Sequence, residues 1–291
     1  MSLGNLSWQV LIILGSSLTA LGQIFNKYQV HRGASLQVHF YKYLASVPLI
    51  TWLWWRSGLG WPENWLIFWF YGMLGGISVV LWAKAIRFNL SQTNLLTPAV
   101  SLLSIALAAI LLQEWQLFNI YSVSGRKIIL ALLLLPVLFY CFYDKKDVKV
   151  KEWSILAWLP ILFVASSRTF LKHFLGQVEP LQIQFLQYWG SIAVVIGGLK
   201  WKKHKFYLGK TFAIRGWLQG LIAGVGLLLY YMGLQQASVT QTSLLRQVVM
   251  LTITISAGLF VWQEIKDMSR KKWMGLAVAV VMMILVATTT N

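Results

Sequence analysis

The sequence predicts an all-α integral membrane protein with ten transmembrane helices arranged as two inverted five-helix repeats. Three observations carry that expectation. Hydrophobic residues make up 58% of the 291 and charged residues only 11%, a balance far from that of an ordinary soluble domain. Apolar stretches near twenty residues recur from end to end, the length needed to cross a hydrocarbon layer of roughly 30 Å. The chain also repeats itself. Ser91-Gln92-Thr93-Asn94-Leu95-Leu96, an apolar run, Gln113-Glu114 and Gly125 return as Thr240-Gln241-Thr242-Ser243-Leu244-Leu245, an apolar run, Gln263-Glu264 and Gly275, displaced by 149 to 150 residues. Leu36 to Tyr43 (LQVHFYKY) returns as Leu181 to Tyr188 (LQIQFLQY), displaced by 145.

The expected spans are 7–27, 38–56, 65–86, 94–113 and 127–143, then 153–173, 182–199, 212–234, 241–262 and 273–288. The first resembles a secretory leader, with Ala20-Leu21-Gly22 as the cleavage site. No Lys or Arg precedes it, however, and Phe25-Asn26-Lys27 has an internal twin in Phe170-Leu171-Lys172. It is therefore retained as a helix. Trp52, Trp54, Trp55, Trp61, Trp65 and Trp69 crowd the adjoining ends of the second and third spans, where an aromatic belt sits at the membrane interface. The third and eighth spans carry rows of glycine, Gly72 and Gly76 in one and Gly216, Gly220 and Gly224 in the other, which allow helix backbones to approach closely. Pro98, Pro136 and Pro160 fall inside the fourth, fifth and sixth spans and free a carbonyl in each. Asp144 to Glu152 is the most polar run and reads as a short solvated connector. The repeats are thus 1–144 and 153–291, joined by 145–152. Five spans per repeat is odd, so the second copy enters the membrane from the opposite side, an architecture characteristic of transporters.

The net charge of +17 is not a nucleic-acid footprint, because the basic residues lie in short loops between apolar spans. They read as orientation signals and as contacts to anionic lipid headgroups. One side collects Lys145, Lys146, Lys149, Lys151, then Lys200 to Arg215, then Lys266 to Lys272; the other has mainly Arg56, Arg126 and Lys127. The richer side is expected in the cytoplasm, leaving both termini outside. A single cysteine, Cys141, excludes an intramolecular disulfide and a cysteine metal site. No zinc-protease, hydrolase-elbow, Walker or dinucleotide motif is present, so neither enzymatic activity nor a metal or cofactor is expected.

All eight acids stand in loops or at span ends, which leaves no mid-membrane carboxylate for proton coupling. His39 and His173 remain as groups that titrate near neutrality, both read as interfacial. Cations, by contrast, do enter the spans: Arg246, Arg168 and Lys84. A charge at a helix centre costs about 2.5–3.5 kcal/mol on insertion scales and faces a cavity or a partner. With no acid to pair with, an anionic substrate is the partner expected for these three. Lys27 and Lys172, which end the first and sixth spans, read as snorkelling to the interface. Gln23, Asn26, Asn94, Ser101, Gln241 and Gln247, with Gln184 and Gln187, line the same interior or bond between helices. Gln92 and Gln241, as repeat twins, close its two ends. Trp82, Tyr230 and Tyr231 stack on an aromatic or quaternary-amine substrate, or simply pack. Glu114 and Glu264 read as structural end markers that bond a neighbouring helix or loop.

With these residues assembled, the chain resembles the drug/metabolite transporter superfamily, specifically its ten-span EamA-like family. The matching pieces are the two five-span halves, the duplicated unit of polar residues, Leu-Leu, Glu114 or Glu264 and then Gly125 or Gly275, and Pro98 in the fourth span. The resemblance implies carriage of small metabolites through a central cavity between the halves by alternating access, in a bacterial inner membrane. It implies both termini in the cytoplasm, against the charge count, which is followed here. The expected function is transport of a small polar metabolite, anionic or amino-acid-like; the alternatives are a flippase for a lipid-linked sugar and a carrier of quaternary amines. The expected partners are that small molecule and membrane lipids, with the protein acting as a monomer.

Overall fold

The computed structural model describes residues 6–30, 35–88, 97–142, 150–207, 209–261 and 270–288. Among them are ten α-helices: α1 Trp8–Val30, α2 Ser35–Arg56, α3 Trp65–Phe88, α4 Thr97–Leu111, α5 Val123–Phe142, α6 Val150–Phe174, α7 Pro180–Trp201, α8 Lys210–Gln236, α9 Val239–Val261 and α10 Arg270–Ala287. A short 3₁₀ helix, Glu114–Phe118, joins α4 to α5. Each helix overlaps one expected span. Several run two or three residues longer, because polar capping residues belong to a helix without contributing to an apolar run. The start of α7 shows this: Glu179 and Gln182 form a reciprocal capping box around Pro180 at the first helical position.

Three stretches, Trp8–Phe25, Trp65–Trp82 and Lys210–Gln236, are long and apolar enough to cross a membrane by themselves. Among the described residues, many large apolar side chains are exposed. Trp55, Ile110, Leu133 and Trp201 are 71%, 76%, 66% and 88% exposed, while Ser16, Ser46, Gln184, Thr240, Thr242 and Ser243 are fully buried. Large side chains outside and small polar ones inside is the distribution expected of helices solvated by lipid.

The main packing joins the first five helices to the last five. Helix α1 packs on α8 and α9, α2 on α7 and α8, α3 on α6 and α7, α4 on α6 and α9, and α5 on α10. Exchanging each helix with the one five places along the chain maps these pairs onto one another. Directions map as well. In α2 and α8, Tyr41 lies by Gly216 and Ser46 by Gly224; in α3 and α7, Gly72 lies by Gln187 and Gly76 by Ser191. Both pairs are parallel. In α1 and α8, Gly15 meets Gly226 and Gly22 meets Ala223, while in α3 and α6 Phe68 packs on Phe174 and Tyr71 stacks on Phe170. Both of these pairs are antiparallel.

The glycine rows sit in the two parallel pairs, where backbone contact is closest. A Cβ on Gly72 would collide with the Gln187 backbone, and one on Gly220 with the Lys42 carbonyl. Two hydroxyls then cross the same gaps. Ser46 Oγ donates to the Gly220 carbonyl at 2.8 Å, and Ser191 Oγ to the Gly72 carbonyl at 2.7 Å. Gly72→Ala is expected to lower stability in detergent by about 1–3 kcal/mol through overpacking. Gly197→Ala, where an added Cβ meets nothing within 4 Å, is expected to be neutral or to stabilise by up to about 1 kcal/mol. Thermal unfolding of the two variants, followed by helical circular dichroism, checks the pair.

Candidate functional site

Helices α2 and α7 each present one polar stripe to the interior. On α7 it is Gln184, Gln187, Tyr188 and Ser191; on α2 it is His39, Lys42, Tyr43 and Ser46. Both follow the i, i+3, i+4, i+7 spacing of a single helix face. The two tyrosines meet edge to face, with ring centroids 5.6 Å apart, so the stripes touch at the centre of the molecule. The Tyr188 hydroxyl lies near the Gln184 side chain and that of Tyr43 near Ser191.

From this centre the cluster extends onto α8 and α9. The Tyr231 hydroxyl donates to Gln187 Oε1 at 2.6 Å. Its neighbour Tyr230 turns its ring to the Arg246 guanidinium, 4.1 Å from the centroid, and the Arg168 guanidinium lies 5.9 Å from the same centroid. Arg168, 8% exposed, donates from Nη1 to Ser243 Oγ at 3.3 Å. Ser101 on α4 faces the Ser243 carbonyl at 3.2 Å and Gln247 Oε1 at 3.3 Å, so α4, α6 and α9 are tied at one point. Arg246 Nε and Nη1 and the Tyr230 hydroxyl are shut from solvent and have no hydrogen-bond partner in the structure. Two guanidinium groups thus share one phenol ring. Among the described residues no carboxylate forms an ion pair with either. Buried charge without a partner is costly, and the cation–π contact offsets only part of that cost.

The structure therefore gathers Arg246, Arg168, Tyr230, Tyr231, Gln247 and Ser101 in one cluster. It does not bring Lys84, Trp82, Gln23 or Gln241 there. Lys84 is twelve residues beyond Gly72, about 18 Å along α3, next to Lys202 at the end of α7. Trp82 packs in a separate apolar cluster with Val100, Ile161 and Ala165, not with the two tyrosines. Gln23 is half-buried on α1 beside Gly22, eight residues from the Gly15 that faces Tyr230. Gln241 has a local role: its Oε1 accepts from Ser238 Oγ at 3.0 Å while its backbone N–H donates to Ser238 Oγ at 3.1 Å, a capping box at the start of α9. Asn26 falls in α1, but its side chain lies outside the described residues, as do Asn94, Gln92 and Glu264.

His173 is exposed, as expected of an interfacial residue. His39, by contrast, is buried: it is 2% exposed, and neither ring nitrogen has a partner. Sequence reasoning missed Lys42, Tyr43, Tyr188 and Ser243 as site residues. The signal for the first three was present, since the α2 stripe recurs on α7 at a constant displacement of 145. Glu114 does bond a neighbouring helix, as expected of an end marker. Its carboxylate accepts from the backbone N–H of Val239 at 2.8 Å and of Thr240 at 2.9 Å.

An apolar exterior around a buried polar and cationic centre, built wholly from helices, defines the class as an α-helical integral membrane protein. Residues 151–288 match the model of the EamA-like transporter family. Over that stretch the chain is similar to this family, which is part of the drug/metabolite transporter superfamily. A solved structure described only as the crystal structure of a protein superposes with a TM-score of 0.75 over 98% of this chain and 99% of that one, at 11% identity. At that identity the likeness speaks to the fold alone. No protein of curated function matches the chain by sequence.

Tyr231→Phe removes the donor to Gln187 Oε1 and leaves a buried acceptor unpaired. A loss of about 1–3 kcal/mol of stability is expected, read as a lowered thermal midpoint in detergent. Tyr121→Phe, at a side chain 89% exposed, should leave the midpoint in place.

Proposed function

We propose that the protein carries a small polar metabolite with an anionic group across the membrane, bound between the two five-helix repeats at Arg246 and Arg168. The observation that carries this reading is Arg246 itself. Its Nε and Nη1 lie buried and unpartnered, beside a second arginine and an unpartnered phenol hydroxyl. A carboxylate or phosphate supplies the acceptor atoms and the negative charge this arrangement lacks. Gln247 and Ser243 stand on the same helix to fix its orientation. The matching contacts and directions of α1–α5 and α6–α10 support an inverted repeat. In such a carrier one half rocks against the other and presents a central site to each side in turn.

A second reading, carriage of a quaternary amine, has one observation in its favour. Tyr43, Tyr188, Tyr230 and Tyr231 gather in one aromatic cluster, and such clusters bind alkylammonium groups. Against it, the face of Tyr230 already holds a guanidinium.

The two readings separate in a thermal-shift screen of purified protein against carboxylates, phosphates, zwitterions and quaternary amines. A ligand that binds the folded state raises its midpoint by mass action, by about 2.7 kcal/mol of stability at a hundredfold excess over its dissociation constant. Anions are expected to raise the midpoint, and Arg246→Gln to abolish the response. If quaternary amines alone stabilise the protein, or if Arg246→Gln responds to anions as the parent does, the anion reading fails.

A further inference from the structure

The turn between α8 and α9 is held from outside by two oppositely charged side chains, each placed at the helix end whose dipole it complements. Glu114 accepts from the first two N–H groups of α9. Lys172, near the end of α6, donates from Nζ to the Leu234 and Gln235 carbonyls at the end of α8, at 2.9 and 3.1 Å. Gln235 Nε2 returns a bond to the Leu175 carbonyl at 3.0 Å. The two charges are within electrostatic reach of each other. Carboxylate at a helix N-terminus and ammonium at a C-terminus is the favourable arrangement for both dipoles. Lys172 is thus engaged in this turn.

What lies beneath the turn gives this arrangement a consequence. Leu234, Val239, Thr240, Thr242, Ser243, Leu244 and Leu245 are all 0% exposed, and Ala237 and Gln241 are 4% and 1% exposed. The first two turns of α9, from Val239 to Leu245, are thus buried along the segment that leads from this turn to Arg246. Thr240 Oγ1 is buried in this segment without a partner, a penalty that opening would remove by hydrating it.

We propose that Glu114 and Lys172 are the positioning residues of the Arg246 site. They form a clasp that fixes the α9 segment bearing Ser243, Arg246 and Gln247 and keeps this end of the interior shut. Releasing the clasp is the step that opens that end. The proposal rests on the reading of Arg246 as the site behind the seal, but its test needs no substrate, so the two can fail separately.

The test uses thiol accessibility in the full chain, purified in detergent. Ala237→Cys places a reporter in the seal, and the native Cys141, buried on α5, reports general loosening. With a small polar maleimide, reporter labelling is expected to rise at least about tenfold in Glu114→Gln and in Lys172→Met. Glu114→Asp, which keeps the charge, should return it most of the way, and Cys141 labelling should stay at the parent rate throughout. An unchanged reporter rate in both variants overturns the proposal. So does a parallel rise at position 237 and Cys141, because the residues would then support the whole fold and not this seal. A rise that Glu114→Asp does not reduce overturns the role of charge.

Discussion

Two hydroxyl-to-carbonyl bonds, Ser46 to Gly220 and Ser191 to Gly72, set the distance on which the interior depends. Both cross the closest glycine contacts between helices among the described residues, and both need glycine opposite, since a Cβ would meet backbone. In lipid there is no hydrophobic drive between helices, so close approach and interior hydrogen bonds must do the work that core burial does in water. Once α2 is held to α8 and α3 to α7 at this separation, the faces of α2 and α7 that carry the serines are fixed inward. The rest of each polar stripe, one helical turn away, then meets its twin through Tyr43 and Tyr188.

That frame is symmetric; its contents are not. His39 and Lys42 stand on α2 where Gln184 and Gln187 stand on α7. Arg246 and Gln247 on α9 replace Thr97 and Pro98 on α4, and Arg168 on α6 replaces Gln23 on α1. A site built at the meeting point of two like halves would bind a two-fold symmetric object. Substitutions that place arginines on α6 and α9 and amides on α7, where the first five helices carry Gln23, Thr97, His39 and Lys42, remove that symmetry without disturbing the glycine contacts. On the proposed reading of the site, scaffold and specificity would be carried by different residues of the same helices.

The helices were legible in the sequence because length and hydropathy determine them and the repeat fixes their order. Helix ends were less so: Glu179-Pro180 and Ser238 are polar and read as loop until their capping bonds are seen. The site was half legible. Arg246, Arg168 and the tyrosine pair announced themselves by polarity in an apolar run, but a position along a span gives neither azimuth nor level within a bundle. Lys84 and Trp82 looked as deep as Tyr230, yet α3 meets α7 in parallel with Gly72 at the level of Gln187, which carries both toward the far end. His39 and Lys42 were hidden for the opposite reason. Near a span end they look interfacial, and only the comparison of LQVHFYKY with LQIQFLQY, read as a helix face, turns them inward.

The distribution of charge follows from the same frame. Glu114 sits where α9 begins and balances unpaired N–H groups; Lys172 sits where α8 ends and balances unpaired carbonyls. These charges are neutralised by backbone dipoles, so they can hold a buried turn together without needing each other or water. Arg246 and Arg168 have no such complement. Seven residues into α9, Arg246 is too far from either helix end for dipole compensation, which fades within the first or last turn. Its partners are a ring face and the repulsion of a second guanidinium. A sequence that caps its helix ends with matched charge and leaves two central arginines without it has the unpaired positive charge on which the proposed anion site rests.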